Sequence, residues 1–307
     1  MKIWIESSSL KKEYVKQIVD RFPSHEIVTE IDQAEDAEVA VMMPTWVKPE
    51  ILNRMKNLKL IKLLTAGYNQ IDLSELKQRN IKLAYAKDVF SIAIAEDVIA
   101  KMLYFNRRLG PYHDHMKAQS WTFEPVSHEI YGSTIGIVGA GSIGDEVAKR
   151  LKAFHTHVIG YRRTKMKQPF YDEMVHHQEG LMDLVRRSDF IIVSIPLTKD
   201  TYHMFNQTLF QSMKQTTLFI NVARGEIVDQ DALINALNHD VIRGAALDVT
   251  TPEPLPKDHP LWRAKNIFIT PHQASASPKM HERLILEVID TLNRYLVHDS
   301  LENIVSF

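Results

Sequence analysis

Thr134-Ile-Gly-Ile-Val-Gly139-Ala-Gly141-Ser-Ile-Gly144-Asp145-Glu-Val-Ala-Lys-Arg-Leu151 decides the fold. A β-branched apolar run ends at Gly139, and a helical pattern with Val147, Ala148 and Leu151 on one face begins straight after Gly144. The stretch reads as strand, tight turn, helix. Gly139 permits the turn, Gly141 lets a pyrophosphate approach the backbone, and Gly144 lets helix and strand pack closely, while the helix N-terminus offers unpaired N–H groups to the phosphates. Ala140, Ser142 and Ile143 complete this dinucleotide loop. A glycine-rich turn without a ligand is the bland alternative, and the strand before and helix after weigh against it.

Such a loop is completed by an acid about twenty residues on, at the end of the next strand, where it holds the ribose 2′-hydroxyl of NAD. Here that strand is His157-Val-Ile-Gly-Tyr161, followed by Arg162-Arg163-Thr164-Lys165 with no carboxylate. Two guanidiniums and a hydroxyl are what a 2′-phosphate needs, since arginine presents a planar fork of donors that stays charged. The expectation is NADP(H) over NAD(H), with Arg162, Arg163 and Thr164 binding the cofactor. Solvated surface is the competing reading, and it is the preferred one for Lys165-Met-Lys167.

Outward from this core, 307 residues suffice for two domains, each with its own core. With 37 Lys+Arg against 38 Asp+Glu and a net charge of −1 at pH 7, no nucleic-acid or anionic-membrane partner is expected. The N-terminus has no apolar signal-peptide core and no apolar run approaches membrane length. The absence of cysteine excludes disulfides, thiolate metal sites and thiol nucleophiles, and fits a cytoplasmic protein. His113 and His115 do not share a helix face, and His155, His157, His176 and His177 lack a ligand set, so no metal site is expected.

Residues 1 to about 90 alternate short apolar runs (Ile3–Ile5, Glu26–Thr29, Val39–Met43, Leu60–Leu64, Ile81–Ala84) with helical segments such as Lys11–Arg21 and Pro49–Met55. This rhythm predicts a first, smaller doubly wound parallel sheet, whose ligands would lie beyond the strands' carboxyl ends. Two strand-end loops are therefore candidates for substrate binding: Pro44-Thr-Trp46, and Thr65-Ala66-Gly67-Tyr68-Asn69. Gly67 would expose backbone N–H groups to a carboxylate, and Trp46 or Tyr68 could wall a small pocket. An ordinary turn with a half-buried aromatic is the alternative for Trp46.

Ser91 begins a long helix through Arg108, which Gly110-Pro111 should end, and which crosses into the dinucleotide domain. Beyond the glycine loop the second sheet continues with Phe190–Ile195 before Pro196, Thr217–Val222 before Ala223-Arg224-Gly225, Ala245–Val249, and Asn266–Thr270 before Pro271-His272. From about Pro278 a helix with Leu284, Val288, Leu292 and Leu296 at helical spacing returns to the first domain. The fold class is thus α/β with two doubly wound parallel-sheet domains, residues 1–97 with 281–307 and residues 98–280.

Arg224, Glu253 and His272 all follow strand ends on the side where the cofactor lies. Their chemistry is complementary. Hydride transfer to the carbonyl of a 2-oxo acid leaves charge on oxygen, which calls for a proton donor there and a cation for the carboxylate. His272 is the natural acid, Glu253 the carboxylate that orients it, and Arg224 the fork that grips the substrate. A capping or core histidine, a solvated acid and a surface arginine are the bland readings.

The chain resembles the D-isomer-specific 2-hydroxyacid dehydrogenase family over nearly its whole length. The motifs that carry this are Gly139-Ala-Gly-Ser-Ile-Gly144, Asn221-Val-Ala-Arg-Gly-Glu-Ile-Val-Asp229, Gly244-Ala-Ala-Leu-Asp-Val249 leading to Glu253-Pro-Leu-Pro256, and Thr270-Pro-His272. The resemblance implies a flavodoxin-like substrate domain beside a Rossmann domain, with Arg224 on the substrate carboxylate, His272 as acid/base and Glu253 as its partner. It also implies Ala66-Gly67-Tyr68 as the substrate-carboxylate loop and a homodimer formed through the dinucleotide domain. Pro196, Ala223 and Asp248 join the cofactor-binding set. Arg162 stands where most members carry the ribose-binding Asp, as in members resembling NADPH-dependent glyoxylate/hydroxypyruvate reductases. Ser275 and Asn69 depart from the usual Gly and Asp, Glu253 speaks against the formate dehydrogenase branch, and the end at Phe307 against a long phosphoglycerate dehydrogenase. The expected activity is reduction of a small 2-oxo acid to a D-2-hydroxy acid with NADPH. An NAD-dependent dehydrogenase and a non-catalytic dinucleotide-sensing regulator are the alternatives.

Overall fold

The computed structural model describes residues 1–164, 168–298, 300–301 and 303–305; the solvated reading of Lys165–Lys167 lies outside them. The chain forms two compact units, Met1–Phe90 with Ser277–Phe307, and Ser91–Ala276.

In the first unit β1 (Lys2–Ile5), β2 (Glu26–Val28), β3 (Val39–Met42), β4 (Leu60–Leu63) and β5 (Lys82–Ala84) form one parallel sheet in the order β2-β1-β3-β4-β5. This is the flavodoxin-like order. Helices α1 (Lys12–Arg21), α2 (Pro49–Leu52) and α3 (Leu73–Gln78) connect the strands. Buried on both faces, β3 and β4 are continuous apolar runs except at Lys62.

The second unit opens with α4 (Ser91–Asn106) and α5 (Leu109–Lys117). Gly110-Pro111 does not end the long helix. Arg108 does, in the left-handed region at φ 54, and Pro111 sits in the first turn of α5, where its missing N–H costs no intrahelical bond. Seven parallel strands follow: β6 (Thr134–Val138), β7 (His157–Tyr161), β8 (Glu173–Val175), β9 (Phe190–Val193), β10 (Leu218–Asn221), β11 (Gly244–Leu247) and β12 (Ile267–Ile269). Their order is β12-β11-β10-β9-β6-β7-β8, with β6 between β7 and β9. Strand order reverses at β6, and the crevice beyond its carboxyl end is where open α/β sheets take their ligands. Helices α6 (Ser142–Leu151), α7 (His177–Arg187), α8 (Gln207–Gln211) and α9 (Gln230–Asn238) connect the later strands, and Asp229 caps α9 through the Ala232 N–H.

The chain then returns to the first unit as α10 (Met280–His298). Its stripe of Leu284, Ile285, Val288 and Leu292 packs with Ile3, Val39 and Leu60 of the sheet. Each such burial contributes about 1.5–3 kcal/mol. The same helix brings Glu287 to Lys62, whose side chain is 0% exposed, at 2.6 Å.

Candidate active site

The glycine loop follows β6 at the switch point. Gly139 has φ 118, and a Cβ there would lie 2.7 Å from the backbone of Ser194, so the turn closes only with glycine. At Gly141 a Cβ would meet nothing within 4 Å, leaving space beside the N-terminus of α6. A bare backbone before a helix N-terminus is a cradle that suits a pyrophosphate. At the end of the neighbouring β7, Arg162 reaches back to this loop: its Nη1 donates to the Ala140 carbonyl at 3.4 Å and its Nε to Thr164 Oγ1 at 3.1 Å. The guanidinium thus stands where a ribose-binding acid would. The Gln168 amide donates to the same Ala140 carbonyl at 3.5 Å. These residues fit a dinucleotide. Burial first, then the neighbouring Asp145 charge, pushes the Tyr171 phenol above its ordinary value beneath this loop.

Arg224, Glu253 and His272 follow β10, β11 and β12, which are adjacent and in register through Asn221, Leu247 and Ile269. The fold therefore sets all three on the carboxyl edge of one sheet, along with the glycine loop. The His272 Nδ1 donates to Glu253 Oε2 at 2.7 Å, which leaves Nε2 as the ring's other proton site. Oε1 of Glu253 accepts the Thr250 N–H at 3.1 Å, so the carboxylate is held while it holds the ring. Both side chains remain part-exposed, open to a small molecule. Among the described residues the Arg224 guanidinium has one hydrogen bond, from Nη1 to the Ala223 carbonyl at 2.6 Å. Its remaining donors suit a carboxylate.

Several residues that hold this geometry were not assigned that role from the sequence. Asn221, 1% exposed, spans the Arg224 turn: its Nδ2 donates to the Arg224 carbonyl at 2.9 Å and its Oδ1 accepts the Ala223 N–H at 3.0 Å. Gln230 holds the next loop, accepting the Thr251 N–H at 2.9 Å and donating to the Thr251 carbonyl. Asp248, 2% exposed, accepts from Thr270 Oγ1 at 2.6 Å, Gln273 N at 2.8 Å and Ala274 N at 2.9 Å, while its carbonyl accepts the His272 N–H at 2.8 Å. The segment carrying His272, with φ 52 at that residue, is bound to Asp248 on both sides. At Gly225 a Cβ would lie 2.2 Å from the carbonyl carbon and oxygen of Thr250, so glycine lets the Arg224 turn pack directly on the Thr250–Glu253 loop. Asn221, Arg224-Gly225 and Asp229 lie in one motif, which was the available signal for Asn221; the Gln230 bonds had none.

In the first unit, Thr65 Oγ1 donates to the Gly67 carbonyl at 2.9 Å, stiffening the loop after β4. Tyr68 is half-buried near Tyr85, with ring centroids 5.7 Å apart. Trp46, also half-buried, packs edge-on against Trp4 at 5.7 Å. Among the described residues no group of three or more His, Cys, Asp or Glu is placed to hold a metal ion, and no helix is long and apolar enough to cross a membrane.

Fold and residue set together define an NAD(P)-dependent oxidoreductase of 2-oxo or 2-hydroxy acids. Residues 99–274 match the family model of the D-isomer specific 2-hydroxyacid dehydrogenase, NAD binding domain. The chain belongs to that family. Glyoxylate reductase/hydroxypyruvate reductase of Homo sapiens is 38% identical over 243 residues, covering 77% of this chain and 73% of that protein. Glyoxylate reductase of Pyrococcus horikoshii is 34% identical over 247 residues, 78% and 73% of the two chains. Among solved structures, an acyclic imino acid reductase in complex with NADPH and D-Arg has a TM-score of 0.85 at 26% identity over 100% of both chains.

Proposed function

We propose that this oxidoreductase reduces glyoxylate or hydroxypyruvate to the corresponding 2-hydroxy acid, of D configuration where a stereocentre forms, with NADPH preferred over NADH. The observation that carries the cofactor preference is Arg162, which reaches the glycine loop at Ala140 from the end of β7, with Thr164 on its Nε. The relatives named glyoxylate reductase and glyoxylate reductase/hydroxypyruvate reductase support the substrate class.

The reduced nicotinamide, when bound, supplies the hydride. Gly139 to Gly144 and the α6 N-terminus hold its pyrophosphate, Arg162, Arg163 and Thr164 take the 2′-phosphate, and Pro196, Ala223 and Asp248 complete the cofactor-binding set. Arg224 grips the substrate carboxylate through parallel hydrogen bonds and lowers the energy of charge developing on the carbonyl oxygen. His272 delivers a proton from Nε2 to that oxygen, and Glu253 fixes the ring through Nδ1. Ala66, Gly67, Tyr68 and Trp46 are proposed as substrate-binding residues of the first unit.

A homodimer through the second unit and a cytoplasmic location complete the reading. Trp121 at 95% and Phe123 at 86% exposure, on one short stretch of the second unit, support the first. Zero cysteines support the second. The test is a steady-state panel of glyoxylate, hydroxypyruvate, pyruvate and bulkier 2-oxo acids with both cofactors. The two small acids with NADPH should give the highest kcat/KM. A clear preference for NADH, or for a bulky acid, would overturn the specific assignment.

A further inference from the structure

At the amino end of the second unit's sheet, opposite the edge that carries the glycine loop, lies a cavity of about 270 Å³. Phe105, Asn106, Arg108, Ser127, His128 and Arg243 line it. Arg243 immediately precedes β11, and its guanidinium lies 5.6 Å over the ring of Phe190, the first residue of β9. Its Nη1 donates to Asn106 Oδ1 at 2.9 Å. Four other nitrogens on these side chains are buried and, among the described residues, have no acceptor: Asn106 Nδ2, Arg108 Nε, and Nε and Nη2 of Arg243. All four are donors. Burying donors of this kind without an acceptor is costly, and folded proteins rarely tolerate several together.

The charge is as one-sided as the hydrogen bonding. Arg108 is paired on Nη2 with Glu124 at 3.2 Å, a carboxylate that His115 shares. No ion pair of Arg243 is found among the described residues. Burial, helped by the nearby Arg108 charge, lowers its guanidinium to about 10, with Asp189 opposing. Burial and Arg243 likewise lower His128, whose Nδ1 is hydrogen-bonded to Ser127 Oγ at 2.6 Å.

We propose that this cavity is a binding site for a small oxyanion, a phosphate- or carboxylate-bearing metabolite, held by Arg243, Arg108 and Asn106. Such a ligand supplies several acceptor oxygens and a counter-charge at once, and the volume lies below that of ordinary drug-sized pockets. The site is separate from the reaction, because Arg224, Glu253, His272 and Arg162 all follow the opposite ends of the strands.

The test titrates inorganic phosphate into the full chain at constant ionic strength, followed by calorimetry and by the thermal midpoint. Because the glycine loop also attracts phosphate, Arg162→Ala is measured in parallel. One saturable site should survive in Arg162→Ala and weaken at least tenfold in Arg108→Gln and in Arg243→Gln. Should Arg243→Gln fail to fold, Arg108→Gln, on a side chain 39% exposed, carries the comparison. Displacement of phosphate by malonate from that site would extend the ligand class to carboxylates. The proposal falls if no saturable binding occurs, or if both substitutions leave it unchanged, which means an adventitious ion only. It falls equally if they dissociate a dimer without altering phosphate binding, which gives the four donors to a second copy of the chain.

Discussion

Gly225→Ala tests whether the catalytic geometry depends on direct packing of two loops. The added Cβ would stand 2.2 Å from the Thr250 carbonyl carbon and oxygen and 2.5 Å from Thr251 Oγ1. Two of these are backbone atoms, and the loop that carries them is held by Gln230 on Thr251 and by Glu253 on the Thr250 N–H. Relief to an ordinary contact of 3.4 Å opens the two loops by about 1.2 Å. Arg224 immediately precedes the substituted residue, so its guanidinium moves relative to Glu253 and the histidine it orients. Misplacement by about 1 Å costs on the order of 10²-fold in rate. Overpacking itself costs about 1–3 kcal/mol of stability, too little to unfold a domain of ordinary stability. The assay is steady-state reduction of hydroxypyruvate, beside a thermal melt and a fluorescence titration of NADPH. The expected pattern is a kcat/KM loss near two orders of magnitude with cofactor affinity changed less, because the proposed phosphate contacts at Gly139–Gly144 and Arg162–Thr164 follow β6 and β7, and only Ala223 and Asp248 of the proposed cofactor set adjoin the two moved loops. A folded variant with near wild-type kcat/KM would refute the packing argument.

Asp248→Ala removes the acceptor of three hydrogen bonds from residues 270–274 and should cost about 1.5–3 kcal/mol in a urea melt, with a fall in kcat larger than the rise in KM. Unchanged kcat would show that the His272 segment holds its shape without that carboxylate. Arg162→Asp should move the NADPH-to-NADH ratio of kcat/KM roughly 10- to 100-fold toward NADH, the value of one charged hydrogen bond; an unmoved ratio would remove Arg162 from cofactor choice. In the first unit, Lys62→Met strands Glu287 in the core at about 3–5 kcal/mol, and adding Glu287→Leu should recover most of it. Burial, with Lys62 opposing, already holds the Glu287 carboxyl above its ordinary value, so the stability this group contributes is present below the ordinary carboxylate range and lost as pH rises through the raised value. Without Lys62 the raise grows, and the urea-midpoint deficit of Lys62→Met should be larger at mildly alkaline than at mildly acid pH.

What the sequence discloses is what is local. The β6 run, the glycines and the α6 stripe occupy one stretch, so strand, turn and helix are legible together, as is the missing acid after β7. Catalytic candidates are legible because each follows a strand end. β8 is not, because Glu173-Met-Val175 is a three-residue edge strand paired only to β7 and has no apolar run to announce it. The turn at Arg108 is hidden by the more conspicuous Gly110-Pro111. Clamps such as Gln230 on Thr251, 21 residues apart, and Arg243 on Asn106, 137 apart, exist only once the fold has brought the start of α9 to the loop after β11 and the end of α4 to the residue before that strand.

The most direct measurement is the product formed from hydroxypyruvate and NADPH by the wild-type chain and by His272→Ala, resolved on a chiral column while NADPH absorbance is followed. The proposed reduction, with hydride added to the carbonyl face that gives the D product and the proton from His272, predicts D-glycerate in step with NADPH loss for the wild type, and a rate lower by roughly 10²–10⁴-fold for the variant. L-glycerate, or an equal rate from His272→Ala, would contradict it.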